Sequence, residues 1–293
     1  MSLSRIACTP DVSYTLGGYR ELAPPADLRD TISCVWTYHI DELASPAIAH
    51  RVLPDLDVSI AFVRVFLSGK LQSAELIVTG PSSAARFFCP KPGTQIVAIR
   101  IKPEWCSDVL RIDPAEHLNS IRPLRAIHRQ LEDRLRDRLL RTDRTEEAAA
   151  ILLHTLQAAS ETRAIPRDTR LAHAALENLR NNRSASVADA ARGMGISDRH
   201  LRRVVMQASG IGPKPMQRIL RLTRLIMMAD RFTNPDWSRL SLAEGYFDQS
   251  HLVHETRALT GLTPSELHTE RKRQVVDDIH RACPEFPIHT PCQ

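Results

Sequence analysis

The chain has no apolar run of the roughly 18 residues that a membrane-spanning helix requires, so none is predicted. It has six cysteines, Cys8, Cys34, Cys89, Cys106, Cys283 and Cys292, and no two are spaced as C-x-x-C. Spacing this wide argues against a zinc cluster; reduced, mostly buried thiols are expected, with Cys34 in a strand core. No G-x-S-x-G, phosphate loop, G-x-G-x-x-G or H-E-x-x-H occurs, and His50, His117, His128 and His154 match no metal-ligand spacing. The expectation is therefore no enzyme, no metal and no cofactor. The opening MSLSRIACTP has no basic stretch followed by an apolar core, so no secretory signal is expected and a cytoplasmic location follows.

Net charge is absent from more than half of the chain. Residues 1–164 hold 20 Lys or Arg against 20 Asp or Glu, whereas residues 165–275 hold 18 against 11, a net +7. Residues 276–293 return to −2, and the whole chain is +5. A basic excess confined to one segment suits contact with phosphates, which releases condensed counterions.

That segment contains a repeated pattern. In VADAARGMGISDRHLRRVVMQ, Val187 to Gln207, small alanines precede Gly193-Met194-Gly195, which interrupts helical periodicity. Ser197 suits an N-cap, and Ile196 before it suits a staple. Arg199, Arg202 and Arg203 then share a helix with apolar Leu201, Val204 and Val205. A helix, a tight turn and a second helix with a basic face make a helix-turn-helix, whose second helix enters the DNA major groove. The pattern returns from Trp237 to Leu252, with Gly245 at the turn and Asp248 as the cap. Between the two, Pro213–Arg231 predicts one amphipathic helix. At about 1.5 Å per residue it would span roughly 28 Å, near the 34 Å between successive major-groove faces.

The run from Ser184 to Leu267 resembles the DNA-binding domain of the AraC/XylS family of bacterial transcription regulators. The resemblance rests on SDRHLRRVV with Gly210-Ile-Gly-Pro213, on Arg221-Leu222, on GYFDQSHL, and on Thr260-Gly-Leu-Thr-Pro264-Ser-Glu-Leu267. A leading helix from Asp168 to Asn181 is expected. Val205 and Thr256 stand where the family usually has an aromatic, and Ser241 where it often has alanine. The resemblance implies double-stranded DNA and RNA polymerase as partners and an activator role. It places Arg199, Arg202, Arg203 and Ser197 in the first reader, and Gln249, Ser250 and His254 in the second. Arginine suits base reading because its planar fork bonds guanine O6 and N7 together. Arg218, Arg221 and Arg224 of the connecting helix are assigned to phosphates or to internal salt bridges, and His200 and His251 to support. Two alternatives remain. One is a DNA-alkylation-repair protein sharing this DNA-binding domain, which would need a reactive-cysteine site. The other is a non-catalytic helical module that binds a partner protein.

Residues 1–160 predict a β-rich, barrel-like domain ending in helices, giving an α+β chain with an all-α second half at 168–275. Thr31–Ile40 alternates with Ile32, Cys34, Trp36, Tyr38 and Ile40 on one side, and Val58–Val65, Glu75–Thr79 and Gln95–Ile101 are further strands. Trp36, Tyr38 and Phe62 are candidates for an effector pocket or for plain core. This part is similar to the amino-terminal domain of one AraC-like branch. Leu124, Ile127, Leu131, Leu135 and Leu139 form a helical stripe that either packs on the strands or pairs two copies; the resemblance favours a homodimer. A linker is expected at 161–167 and a flexible tail at 276–293.

Overall fold

The structure is a computed structural model that describes residues 12–16, 18–42, 49–161, 166–181 and 186–276. The centre of the expected linker, 162–165, and the tail from 277 lie outside the described residues. In the first half, strands rich in Val and Ile pair into one antiparallel sheet. Its members are β1 (Val12–Leu16), β2 (Tyr19–Leu22), β3 (Ile32–His39), β5 (Val58–Leu67), β6 (Lys70–Thr79), β8 (Thr94–Ile101) and β9 (Ile121–Pro123), in the order β1-β2-β3-β8-β5-β6-β9. The short strands β4 (His50–Val52) and β7 (Arg86–Phe88) form a separate ribbon.

Register decides what each face carries. Val35, Ile99 and Ile60 lie opposite one another, and Trp36, Ala98 and Ala61 do the same one step along. The first face, with Phe62 and Val97, is covered by α2 (Leu124–Ile127), α3 (Arg129–Leu139) and α4 (Thr145–Glu161). The second, with Tyr38, Ile40, Ile96 and Ala98, meets the β4–β7 ribbon, where Tyr38 Oη lies 3.0 Å from His50 Nε2 and its ring packs edge-on to Phe88.

The structure revises the alternation expected of β3 and the unbroken helix expected after Leu124, and it decides between the alternatives left open for the aromatics and the leucine stripe. A bulge between Ile32 and Cys34 shifts the register of β3, so Ile32 joins Val35 on the helix-covered face while Tyr38 and Ile40 take the other. Trp36 and Tyr38 consequently lie across the sheet from Phe62, and the three do not line one pocket. The leucine stripe is buried in the same core as the sheet, so it is not an open pairing face. The predicted single helix also breaks at His128, where φ is −144°, and His128 Nδ1 accepts the Leu131 N–H to cap α3.

The second half is all helix: α5 (Arg167–Asn181), α6 (Val187–Gly193), α7 (Asp198–Ser209), α8 (Pro213–Ala229), α9 (Trp237–Ala243), α10 (Gln249–Thr260) and α11 (Pro264–Val276). Leu176, Leu201, Val205, Met216, Ile219, Leu222, Leu225, Leu252 and Leu259 meet in one core, which also takes in Leu56 from the first half.

The two halves are joined by buried charge. The Glu104 carboxylate, fully buried on the short helix α1 (Pro103–Trp105), accepts from Arg180 Nη1 at 2.8 Å and lies 3.2 Å from His173 Nδ1. Arg180 also reaches Asp57 at 3.5 Å, and Lys102 pairs with Glu177 at 3.1 Å. Burial alone would push the Glu104 carboxyl up, but His173 and Arg180 outweigh it and hold it below the usual carboxylate range. Asp57 goes the other way, to about 6, through burial and its neighbour Asp55.

Candidate nucleic-acid interface

Two helix pairs are built by the same local rules. Ser186 opens α6 with a capping box, its Oγ accepting the Asp189 N–H while the Asp189 carboxylate accepts the Ser186 N–H, both at 3.1 Å. The chain then turns through Gly195 at φ +65°, and Ser197 Oγ accepts the His200 N–H at 3.2 Å to start α7. In the second pair Asp236 caps α9, Gly245 turns at φ +76°, and Asp248 accepts the His251 N–H at 2.7 Å to start α10. Gly210 and Gly261 end α7 and α10 in left-handed conformations.

Counted from their caps, α7 and α10 correspond position by position. Inward positions hold Leu201, Val204 and Val205 in α7, and Leu252, Glu255 and Thr256 in α10; all six are buried. Outward positions hold Arg199, Arg202, Arg203 and Met206 in α7, and Ser250, Val253, His254 and Arg257 in α10. The α10 group and Gln249 line an open hollow. The departures Thr256 and Ser241 fit their buried places because Thr256 Oγ1 donates to the Leu252 carbonyl and Ser241 Oγ to that of Ser238, each at 2.8 Å.

The sequence-expected site residues divide sharply. Arg199, Arg202 and Arg203 are exposed on one face of α7, and Gln249, Ser250 and His254 on one face of α10. Arg202 pairs with Asp198 at 3.0 Å, and Arg203 donates to Gln207 at 2.9 Å. Such exposed contacts are worth about 0–1 kcal/mol, so a phosphate or a base edge can replace them. The Ser197 hydroxyl serves the cap.

Of the two roles expected for Arg218, Arg221 and Arg224, the structure shows internal salt bridges. Arg218 Nε lies 3.0 Å from Glu255 Oε1, and Arg221 reaches Glu255 at 3.7 Å, donates to the Gly245 carbonyl and stacks over the Tyr246 ring at 4.9 Å. Arg224 pairs with the buried Glu244 at 2.9 Å. These arginines are struts between α8 and the second helix pair. The cause is the carboxylate at an inward position of α10, which draws the guanidinium groups in. His251 has the support role expected of it, accepting the Phe247 N–H and facing Glu255 at 3.5 Å.

Sequence reasoning missed Val253 and Arg257 on the exposed face, although Ser250, Val253, His254 and Arg257 follow helical spacing that could have found them. It also missed Glu244 and Glu255, since nothing in the sequence distinguishes a buried carboxylate from a surface one. Glu104, His173 and Glu177 lie close enough to ligate a cation, but Arg180 and Lys102 already occupy them as counter-charges. Burial pushes the Cys34 thiol up to about 12 and Cys106 well above its usual value, the wrong direction for a reactive thiolate. Among the described residues no helix is long and apolar enough to cross a membrane.

Residues 190–270 match the family model described as a helix-turn-helix domain, and residues 20–122 match one described as a domain of unknown function. No curated protein matches the chain. Similar solved structures include ToxT from Vibrio cholerae O395, at 11% identity and TM-score 0.40, covering 82% of this chain and 97% of that one. ToxT bound to (E)-4-(8-methylnaphthalen-1-yl)but-3-enoic acid gives 11% and 0.42, with 80% and 97% covered. A DNA-binding transcriptional dual regulator from Escherichia coli K-12 gives 17% and 0.30, with 38% and 98% covered. Likeness at this level transfers no ligand and no operator. The helix-turn-helix match coincides with the paired, capped helices, and residues 190–270 belong to the AraC-type helix-turn-helix domains, the DNA-binding module of transcription regulators.

Proposed function

We propose that the chain is a sequence-specific transcription regulator whose α7 and α10 read two adjacent major-groove segments. The observation that carries this reading is the pair of matched recognition helices, each N-capped and each with its polar face left open, on the segment holding the +7 charge. The connecting α8, 17 residues long, spans about 26 Å and is braced to the second reader by its arginines. In the first reader Arg199, Arg202 and Arg203 contact guanine edges and phosphates. In the second Gln249, Ser250, His254 and Arg257 face the bases.

The N-terminal domain is proposed to control the readers, in response to a small effector. The support is its grip on the C-terminal ends of both recognition helices. Arg51 donates to the Thr260 carbonyl at 2.6 Å and pairs with Glu270 at 2.8 Å, and the Ala85 N–H bonds the Leu259 carbonyl at 2.8 Å. At the other reader, a Cβ placed on Gly210 would lie 2.7 Å from Ala115 Cα. An activator role, RNA polymerase as partner and pairing of two copies follow the family resemblance. Pairing needs a surface other than the leucine stripe.

The test is fluorescence anisotropy of the full chain on duplex DNA from upstream of its own coding region, with a scrambled duplex beside it, across a salt series. Tight, strongly salt-dependent binding to the first alone is expected. Equal binding to both would overturn sequence-specific reading of that region. Salt-insensitive capture of a protein in place of DNA would favour the partner-binding module.

A further inference from the structure

The two turns differ by one residue. Between α6 and α7 stand Met194 to Ser197, and between α9 and α10 stand Glu244 to Asp248. In the shorter turn Ile196, directly before the cap, packs against the helical core. In the longer turn Tyr246 takes the buried place, beside His251 and under Arg221. The extra residue is Phe247, directly before the cap Asp248, and its side chain is 86% exposed, the highest value for a large apolar residue among the described ones. Its backbone is held all the same, because its N–H donates to His251 Nδ1. A solvent-exposed phenyl ring carried on a held backbone at the N-terminus of a recognition helix stands where that kind of helix meets base edges. Thymine is the base whose major-groove edge carries a methyl group, and apolar side chains read it by contact.

We infer that Phe247 is a specificity-determining residue of the second reader, making apolar contact with a thymine methyl group at the edge of its site. The inference rests on the DNA-reading function proposed above. It adds an aromatic ring beside a face that holds Gln249, Ser250, Val253, His254 and Arg257, and it makes the two readers chemically unlike, one strongly basic and one mixed.

The test uses the full chain and duplexes selected for binding from a random pool. Each thymine in the selected site is replaced in turn by deoxyuridine, which lacks only the methyl group. Removing one buried methyl is expected to weaken wild-type binding about fourfold at a thymine in the second half of the site. Phe247→Ala is expected to bind the thymine duplex at least about fourfold more weakly and to ignore that substitution, while Phe247→Leu keeps part of the sensitivity. Specific wild-type binding indifferent to every deoxyuridine, or full affinity in Phe247→Ala, overturns the inference and leaves DNA reading intact. Failure of the wild-type chain to select any duplex overturns both. Because the ring is exposed, neither substitution disturbs the core.

Discussion

Replacing Glu255 is the sharpest test of how the second reader is held. Its side chain is 9% exposed and faces Arg218 at 3.0 Å, Arg221 at 3.7 Å and His251 at 3.5 Å. Glu255→Ala leaves two guanidinium groups without their carboxylate. Removing one partner of a fully buried ion pair costs about 3–5 kcal/mol. The Arg218 and Arg221 side chains retain 32% and 21% exposure, so water recovers part of that loss. The expected cost is about 2–3 kcal/mol, read by urea unfolding followed through the helical circular dichroism. Arg218→Ala should cost only about 1 kcal/mol, because Glu255 keeps Arg221 and His251. The double variant should fall short of the sum of the singles, since the residues share one cluster. Glu255→Gln keeps the shape and an acceptor and should lie between wild type and Glu255→Ala. Specific DNA affinity should follow the same order, as α10 loses its brace to α8. A Glu255→Ala cost below about 0.5 kcal/mol, or one equal to that of Arg218→Ala, would refute the strut assignment.

Three further outcomes follow from the geometry. Arg203→Ala should weaken specific binding by about 1–3 kcal/mol in anisotropy, while Arg129→Ala, an exposed arginine of the first half, should leave it unchanged; equal losses would sink the recognition-face assignment. Asp57 has its folded carboxyl raised from an ordinary 3.8 to about 6, so the folded state holds that proton more tightly. Its contribution therefore favours folding at low pH and is lost as pH rises between about 4 and 6, and Asp57→Asn should flatten a stability profile measured across that window. Gly245 and Gly210 both have positive φ, but a Cβ at Gly245 meets nothing within 4 Å whereas one at Gly210 meets Ala115. Gly245→Ala should cost about 1 kcal/mol of backbone strain, and Gly210→Ala clearly more, in paired thermal melts.

The readers were legible in the chain because their rules are local. Glycine for a positive φ, Ser197 and Asp248 for caps, and apolar residues at helical spacing act within a few positions of one another. The long strands were legible through alternation, but three-residue β4, β7 and β9 carry too short a pattern to register. The bulge near Cys34 also escaped, because it depends on the partner strand β8.

Local order in the chain, then, determined two capped helix pairs, a connecting helix, a β-rich first half and a basic second half. Tertiary structure decided which charges act on one another. Arg203 and Arg218 are the same residue type on neighbouring amphipathic helices, yet one meets solvent and the other a buried carboxylate 37 positions away. It decided also that Phe247 stands outside and Tyr246 inside, and that Arg180 of the second half neutralises Glu104 of the first. The physical reason is that a charge or an aromatic ring takes its role from burial and partners. Both are set by packing between distant segments, which periodicity along the chain does not encode.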